Sequence, residues 1–149
     1  MSAIEERLRR LEDESGILQT MYAYAHCLDY GDEAGFLDCF HEEATLHWSS
    51  RGEQKGHAAI REGFRWHTHA PDAWHKHFMV EPRINIQGDK ATVDSMYTRL
   101  DRYETGPEFR SYGRYTDTLV RCADGKWRFM ERRANQEGRR APSASGAGR

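Results

Sequence analysis

Residues 74–84 have the sequence WHKHFMVEPRI, and this stretch decides how the chain folds. Its aromatic and β-branched residues favour a strand, and Pro82 predicts a bulge or an edge position because proline has no N–H to donate. Strand alternation places His75, His77 and Met79 on one face and the residues between them on the other. Histidines sharing a face with Met79 indicate a cavity wall, although strand histidines are commonly hydrogen-bonded or partly exposed without any further role.

A long amphipathic helix is predicted upstream of this strand. Gly16 indicates a kink or break in this helix, and Gly31 is a suitable residue to end it. We expect one side of the helix to face the core, because its apolar residues follow helical spacing. They are Ile4, Leu8, Leu11, Leu18, Tyr22 and Ala25.

Asp29 falls in the last turn of this helix, where the negative end of the helix dipole disfavours a carboxylate by roughly 0.3–1 kcal/mol. It lies one turn after Ala25, on the side expected to face the core. Two interpretations stay open. Asp29 is either a solvated or capping acid, or it is retained because it contacts another group, most simply a histidine.

The remaining elements form a helical part followed by a β-rich part. Asp32 caps a second helix over 33–40, and a third helix over 58–69 ends before Pro71. Short polar or glycine-containing turns separate the predicted strands. The strands cover residues 44–48, 74–84, 91–103, 109–122 and 127–135.

This order predicts an α+β fold, with N-terminal helices packed on one face of a strongly curved, mostly antiparallel sheet. A ligand pocket between helices and sheet follows from that shape. We expect a single domain over residues 1–136. Residues 137–149, rich in Gly, Ala, Ser and Arg, are expected to form a disordered tail.

Composition narrows the classes of partner and location. The chain has 149 residues, is 31% charged and carries a net charge of −2, so it offers no basic surface for nucleic acid. Its apolar runs are too short to cross a membrane, and its acidic start lacks a signal sequence. Three cysteines without metal-type spacing are typical of a reducing compartment. We therefore expect a cytoplasmic protein that binds neither nucleic acid nor membrane.

Several short motifs, taken in order, resemble the SnoaL-like branch of the NTF2-like superfamily over roughly residues 4–136. Within it, the chain is similar to the type that includes scytalone dehydratase, bile acid dehydratase and lindane dehydrochlorinase. One departure is Glu81, since family members commonly have Asn there. The motifs are Tyr24-x-x-x-x-Asp29-x-Gly31-Asp32, Asp38-x-Phe40, Gly56-x-x-Ala59-Ile60, His77-Phe78-Met79-Val80-Glu81-Pro82-x-Ile84, Gly88-Asp89-x-Ala91 and Asp124-Gly125-x-Trp127-Arg128-Phe129-x-x-Arg132.

The resemblance implies a cone-shaped α+β barrel around a closed apolar pocket that needs no cofactor. It also implies a small apolar or cyclic ligand and a homo-oligomer, either a dimer or a trimer. In such dehydratases an Asp at the end of the first helix orients a His on a sheet strand, and the matching residues are Asp29 and His77. Tyr24 matches the helix tyrosine of the bile acid enzyme.

An Asp–His pair suits the removal of a proton from carbon. Asp29 would accept the Nδ1–H of His77, and the other ring nitrogen would act as the base. Tyr24 lies about 140° from Asp29 around the helix, so its assignment as a hydrogen-bond donor competes with an ordinary core position. Trp48, Tyr97 and Tyr115 are candidate substrate-binding residues.

Either Arg132 or Arg133 could bind a carboxylate or carbonyl, but only one can point inward, and Arg132 is the candidate here. No metal site is expected, because the clustered histidines lack the usual ligand spacing. The function predicted is a cofactor-independent lyase, a dehydratase or related β-elimination enzyme, acting on a small cyclic or polyketide-like molecule. The alternatives are an isomerase or cyclase using the same pocket, and a noncatalytic small-molecule-binding protein.

Overall fold

The computed structural model describes residues 1–141, and this part of the chain folds into three helices and one six-stranded sheet. Tyr103 Oη donates to the carbonyl of Ala141, which anchors the end of the described chain. The elements are α1 (Ala3–Tyr30), α2 (Glu33–Asp38), β1 (Phe40–Trp48), β2 (Gly52–Lys55), α3 (Gly56–Trp66), β3 (Lys76–Gln87), β4 (Lys90–Tyr103), β5 (Gly106–Arg121) and β6 (Trp127–Arg139).

The sheet has the order β2-β1-β6-β5-β4-β3, so β2 and β3 form its two edges. Only β1 and β6 run parallel; the other neighbouring pairs are antiparallel. The sheet is curled and unclosed, which confirms the predicted α+β, NTF2-like architecture. Strand β2 was not predicted, because its sequence Gly-Glu-Gln-Lys has no strand-forming residue and pairs through the backbone alone.

Helix α1 begins at a capping box, in which Ser2 Oγ accepts from the Glu5 N–H and the Glu5 carboxylate accepts from the Ser2 N–H. It ends at Gly31, whose φ of 78° is left-handed, as predicted. The predicted break at Gly16 is wrong, since α1 is one helix of 28 residues. A Cβ at this position would lie 3.1 Å from Trp127 Cδ1, so the glycine permits close packing against β6.

The predicted core-facing stripe of α1 is also incorrect along the whole helix, since Tyr22 in the second half is 44% exposed. Ile4, Leu8 and Leu11 are 69%, 54% and 61% exposed, so this side of the first turns of α1 faces solvent. The second half buries a different apolar stripe against the sheet. Its members, spaced by three or four residues, are Ile17, Met21, Tyr24 and Leu28.

Strand β3 has both features that Pro82 predicted: it is an edge strand, and its pairing with β4 shifts between Val80 and Arg83. Glu81 lies in this bulge with a φ of 51°, in the left-handed region. Asparagine tolerates that region better than glutamate does, which gives a physical reason for the asparagine common in the family. Phe78 and Val80 lie on the outer face and are exposed, as alternation predicted.

Several boundaries differ from the predictions: α2 ends at Asp38 and not at residue 40, and β1 starts at Phe40 and not at residue 44. Helix α3 starts two residues earlier and ends at Trp66, and residues 67–75 then form a loop that covers the end of α1. Strand β6 continues to Arg139, beyond the predicted domain end at 136. The rest of the predicted disordered tail, residues 142–149, lies outside the described residues. Among residues 1–141, no helix is long and apolar enough to cross a lipid bilayer.

Candidate active site

Asp29 lies where the C-terminal end of α1 meets the loop over residues 67–75 and the start of β3. Its own carbonyl accepts from the Ala70 N–H at 2.9 Å, and its side chain points toward β3. Only 3% of its surface is exposed. The carboxylate therefore sits at the unfavourable end of the helix dipole without water to solvate it, and it needs donors from the protein.

His77 supplies two of those donors. Its Nδ1 lies 2.6 Å from Asp29 Oδ1, and its backbone N–H donates to Asp29 Oδ2 at 2.9 Å. The predicted contact between the two side chains is thus present. Among residues 1–141, the Nε2 of His77 has no hydrogen-bond partner, and the ring lines a cavity. This is the geometry in which a carboxylate fixes the tautomer and orientation of an imidazole base.

His75 supplies a third donor, although it precedes β3 and does not lie on a strand face as predicted. Its Nδ1 lies 2.8 Å from Asp29 Oδ1, and its Nε2 lies 2.7 Å from the carbonyl oxygen of Thr68. The ring has no exposed surface. Both histidines of the His-x-His pair therefore converge on one carboxylate, because the loop bends His75 back toward α1.

The hydrogen bonds decide the charge of Asp29. Burial acts to raise the pKa of this carboxyl, but the bonds from His75 and His77 outweigh it and hold the pKa well below its usual value. Burial lowers the pKa of His77, and the neighbouring Asp29 only partly offsets this. The pair at neutral pH is therefore an ionised carboxylate and a neutral imidazole, which is the state that a general base requires.

The cavity beside His77 has a volume of about 70 Å³ and lies between α1, the loop and the inner face of the sheet. It is smaller and more polar than the expected closed apolar pocket. Most of its lining residues carry a hydroxyl, amide, imidazole or guanidinium group. The lining comprises Tyr24, Leu28, Trp48, Ser49, Ser50, His67, His77, Tyr97, Arg99, Ser111, Tyr115, Ala134 and Gln136.

His67 is a lining residue that the sequence analysis did not assign to the site. Its Nδ1 lies 2.8 Å from the Thr68 carbonyl oxygen, and its ring centroid is 5.8 Å from that of His77. Burial and the neighbouring charges lower its pKa well below the ordinary value, so it is a neutral ring. His67 follows Phe64 by three residues, which is a helical spacing, but nothing in that spacing shows that the core is hollow there.

Tyr24 lies in the same cavity as His77, and its hydroxyl oxygen accepts from Trp48 Nε1 at 2.8 Å. Burial raises the pKa of Tyr24 above its usual value and raises that of Tyr97 to about 12. Tyr115, whose pKa burial also raises, stacks on Tyr97 with ring centroids 4.6 Å apart. These phenols stay protonated at neutral pH and are able to donate hydrogen bonds to a bound molecule.

Of Arg132 and Arg133, it is Arg132 that points inward, but it lies behind the cavity wall and not in it. Its Nε and one terminal nitrogen bind both oxygens of Asp117, at 3.0 and 3.1 Å. The guanidinium carbon lies 3.7 Å from the ring centroid of Tyr115 and 4.2 Å from that of Tyr24. The predicted substrate contact is therefore replaced by a supporting position, in which Arg132 holds the two tyrosines. Arg133 faces outward and is partly exposed.

Arg99 is the cation that does reach the cavity wall. It lies opposite His77 in the β3–β4 register and is buried. Its Nε donates to Asp101 at 2.6 Å, and Arg110 donates to the same carboxylate at 3.1 Å. Arg99 and Asp101 are two residues apart and share a face of β4, but the sequence analysis did not connect them with His77.

Asp29, His75 and His77 also place potential metal-ligand atoms within 4.8 Å of one another. In the described part of the chain these atoms are already joined by hydrogen bonds of 2.6 and 2.8 Å. Whether the site works without a metal, as the sequence analysis expects, stays a prediction.

The sequence model of the SnoaL-like domain family matches residues 9–133, so the chain belongs to that family. The family includes dehydratases and cyclases. No curated protein matches the chain.

Solved structures support the same fold. An NTF2-like protein with a cystatin-like fold from Novosphingobium aromaticivorans superposes with a TM-score of 0.80 at 21% identity, covering 97% of this chain and 92% of that one. A protein from the same organism, provisionally named a scytalone dehydratase, gives 0.72 at 22% identity, with 87% of each chain covered. ActVI-ORFA from Streptomyces coelicolor gives 0.72 at 23% identity, covering 83% of this chain and 96% of that one.

Proposed function

We propose that the protein is a cofactor-independent lyase, a dehydratase or related β-elimination enzyme, that uses Asp29 and His77 as a general-base pair. One observation carries this proposal: His77 Nδ1 is held 2.6 Å from Asp29 while the ring lines a cavity with its other nitrogen unpaired among residues 1–141. The neighbour provisionally named a scytalone dehydratase is consistent with this chemistry.

In the proposed reaction, His77 Nε2 removes a proton from a carbon next to a carbonyl group. The resulting imidazolium is stabilised by Asp29, which stays ionised throughout. Tyr24 donates a hydrogen bond to the departing hydroxyl or the developing oxyanion, since its phenol is protonated and faces the same cavity. The C–O bond then breaks as the C=C bond forms, and the hydroxyl leaves as water with the proton that His77 took from carbon. A base placed in this way contributes on the order of 10²- to 10⁴-fold to the rate.

The lining indicates the kind of substrate. A volume of about 70 Å³ corresponds to roughly five water molecules, so a ligand larger than that requires the wall to move. Hydroxyl and imidazole groups predominate in the wall, while Trp48, Tyr97 and Tyr115 offer flat surfaces. We therefore assign the substrate as a small cyclic or polyketide-like molecule that carries hydroxyl or carbonyl groups.

The test is turnover of a panel of hydroxylated cyclic ketones and lactones, followed by the ultraviolet absorbance that an eliminated product acquires. We expect the wild-type protein to convert at least one compound and the His77→Ala variant to lose that activity. Loss of ligand binding without loss of turnover in His77→Ala would count against the base. Binding without turnover across the panel, beside an active control enzyme, would support the noncatalytic alternative. A product of unchanged composition would support isomerisation or cyclisation.

We also propose that the protein assembles with copies of itself. The apolar side chains of Ile4, Leu8 and Leu11 are spaced by four and three residues and are exposed on α1. Arg7 and Glu12 flank this stripe, so two copies of α1 running parallel would place opposite charges beside the apolar contact. An exposed apolar stripe with such flanks is typical of a helix–helix interface.

A further inference from the structure

His75 is buried between two oxygen acceptors and does not face the cavity. Its Nδ1 lies 2.8 Å from Asp29 Oδ1, and its Nε2 lies 2.7 Å from the Thr68 carbonyl oxygen. A carbonyl oxygen has no proton to give, so the nitrogen beside Thr68 must donate. The proposed reaction gives His75 no role, although this ring is among the largest fully buried side chains of the described chain.

The other nitrogen must donate as well, because Asp29 is ionised. The carboxylate accepts from the His77 backbone, from His77 Nδ1 and from His75, and such bonds favour the charged form. In a neutral His75, one ring nitrogen would carry a lone pair instead of a proton. That lone pair would face the oxygen of either Thr68 or Asp29 at less than 3 Å, which is repulsive. Only a ring with a proton on each nitrogen satisfies both contacts.

We propose that His75 is a positioning residue, held as an imidazolium between Asp29 and Thr68. Its positive charge neutralises the negative charge of Asp29, and this keeps His77 a neutral base. Without this cation, the negative charge of Asp29 would act on His77 alone and favour its protonated form. With the cation in place, Asp29 still fixes the orientation of His77. The catalytic meaning of this inference rests on the proposed function, but the charge state of the two rings does not.

The groups around His77 support this account. Asp29 approaches it from α1, His67 and His75 from the loop, and Arg99 from β4. The ring centroids of His75 and His77 are 5.3 Å apart. Both His75 and Arg99 act to lower the pKa of His77, and Asp29 acts to raise it. The positive charge of His75, like that of Arg99, thus opposes the effect of the Asp29 carboxylate on His77.

The same loop supplies a matched control. His69 also has both ring nitrogens against carbonyl oxygens, those of Leu28 and Phe64. It makes no hydrogen bond with Asp29 or His77 among the described residues. Replacing His69 therefore removes a similarly bonded ring from the loop without removing a donor from Asp29.

The experiment is a pH titration of the histidine ring nitrogens by ¹⁵N NMR on the full-length protein, with signals assigned by single substitutions. At neutral pH we expect both nitrogens of His75 to show the shifts of protonated nitrogens, and His77 to show one protonated and one bare nitrogen. We expect His75→Asn and His75→Gln to raise the titration midpoint of His77 by roughly one to two pH units. His69→Gln should leave that midpoint in place.

A bare nitrogen on His75 at neutral pH would overturn the proposal. An unchanged His77 midpoint in both His75 variants, with their far-ultraviolet circular dichroism intact, would also overturn it and reduce His75 to a structural role. Because Asn and Gln imitate different ring nitrogens, a loss of folding in one variant leaves the other as the test. A negative result in the lyase assay would leave the titration midpoints of His75 and His77 unchanged. The charge state of His75 and the proposed lyase activity are therefore tested independently.

Discussion

His77 contacts Asp29 through two separate donors, its ring Nδ1 at 2.6 Å and its backbone N–H at 2.9 Å, so ring and strand are fixed to the same carboxylate. The end of α1 and the start of β3 are therefore locked together at the point where the imidazole enters the cavity. A rotation of the ring would break one bond while the other held the strand in place. The imidazole that we propose as the base is thus already oriented by the protein.

The low-pH side of the pH–rate profile should reflect the protonation of the His77 ring. Burial lowers its pKa below the ordinary value of 6.5, so the neutral form persists as the pH falls through 6.5. We expect kcat/KM on a converted substrate to stay level from pH 8 to 6.5 and to fall below that with a midpoint under 6.5. Initial rates across this range give the result, and a midpoint above 7 would show that the base is a different group or that His77 is charged.

Removing the buried cation Arg132 should destabilise the protein. Arg132→Met leaves Asp117 buried without its partner, and we expect the free energy of unfolding to fall by about 3–5 kcal/mol. Urea denaturation of wild type and variant measures this. The double variant Arg132→Met with Asp117→Leu removes both charges and should recover much of the loss. A single variant as stable as wild type would mean that the pair is not buried as described.

The bulge in β3 offers a stabilising substitution. Glu81 has a φ of 51° and is exposed, so its side chain makes the left-handed conformation costly without forming a buried contact. We expect Glu81→Asn and Glu81→Gly to raise the free energy of unfolding by about 0.5–1 kcal/mol in urea denaturation. Glu81→Ala is the control, because it removes the carboxylate while keeping the Cβ. An equal gain in Glu81→Ala would attribute the effect to charge and not to backbone conformation.

The proposed self-association should depend on the exposed stripe of α1. Light scattering coupled to size-exclusion chromatography should give the wild type a mass of two or three chains. Leu8→Glu combined with Leu11→Glu should reduce it to one chain without loss of helix content, because both side chains are more than half exposed. Tyr22→Glu, another exposed apolar position farther along α1, is the control. A wild-type monomer would contradict the proposal, and an unchanged oligomer in the double variant would place the interface elsewhere.

The sequence predicted the order of elements and the α+β class, because these depend on local signals, and the family resemblance implied the pairing of Asp29 with His77. Gly31 marks the end of α1, Pro82 marks the irregular edge strand, and a carboxylate at a helix C-terminus requires nearby donors. The motifs of the family supplied the connection between the two distant residues. Local chemistry and the family resemblance agreed, so the sequence alone was enough to predict this pair.

The features that the sequence did not predict depend on the path of the loop over residues 67–75 and on which side chains the core buries. His67 and His75 reach the site through a bend in residues 67–75 that no periodicity describes. Arg132 was expected to contact substrate, but aromatic rings from α1, β5 and β6 cover its guanidinium group. Ile4, Leu8 and Leu11 have the same apolar spacing as a buried helix face, so spacing alone could not show that they are exposed.

The central claim is that His77, held by Asp29, removes a proton from carbon. The most direct measurement is the kinetic isotope effect on a substrate from the panel that carries deuterium at the carbon next to its carbonyl group. We predict a primary isotope effect on kcat/KM in the wild type and, for Asp29→Asn, a loss of about 10²- to 10⁴-fold in kcat/KM. An exposed acid, Asp124→Asn, should leave both unchanged. Turnover that shows no isotope effect and survives Asp29→Asn would contradict the account.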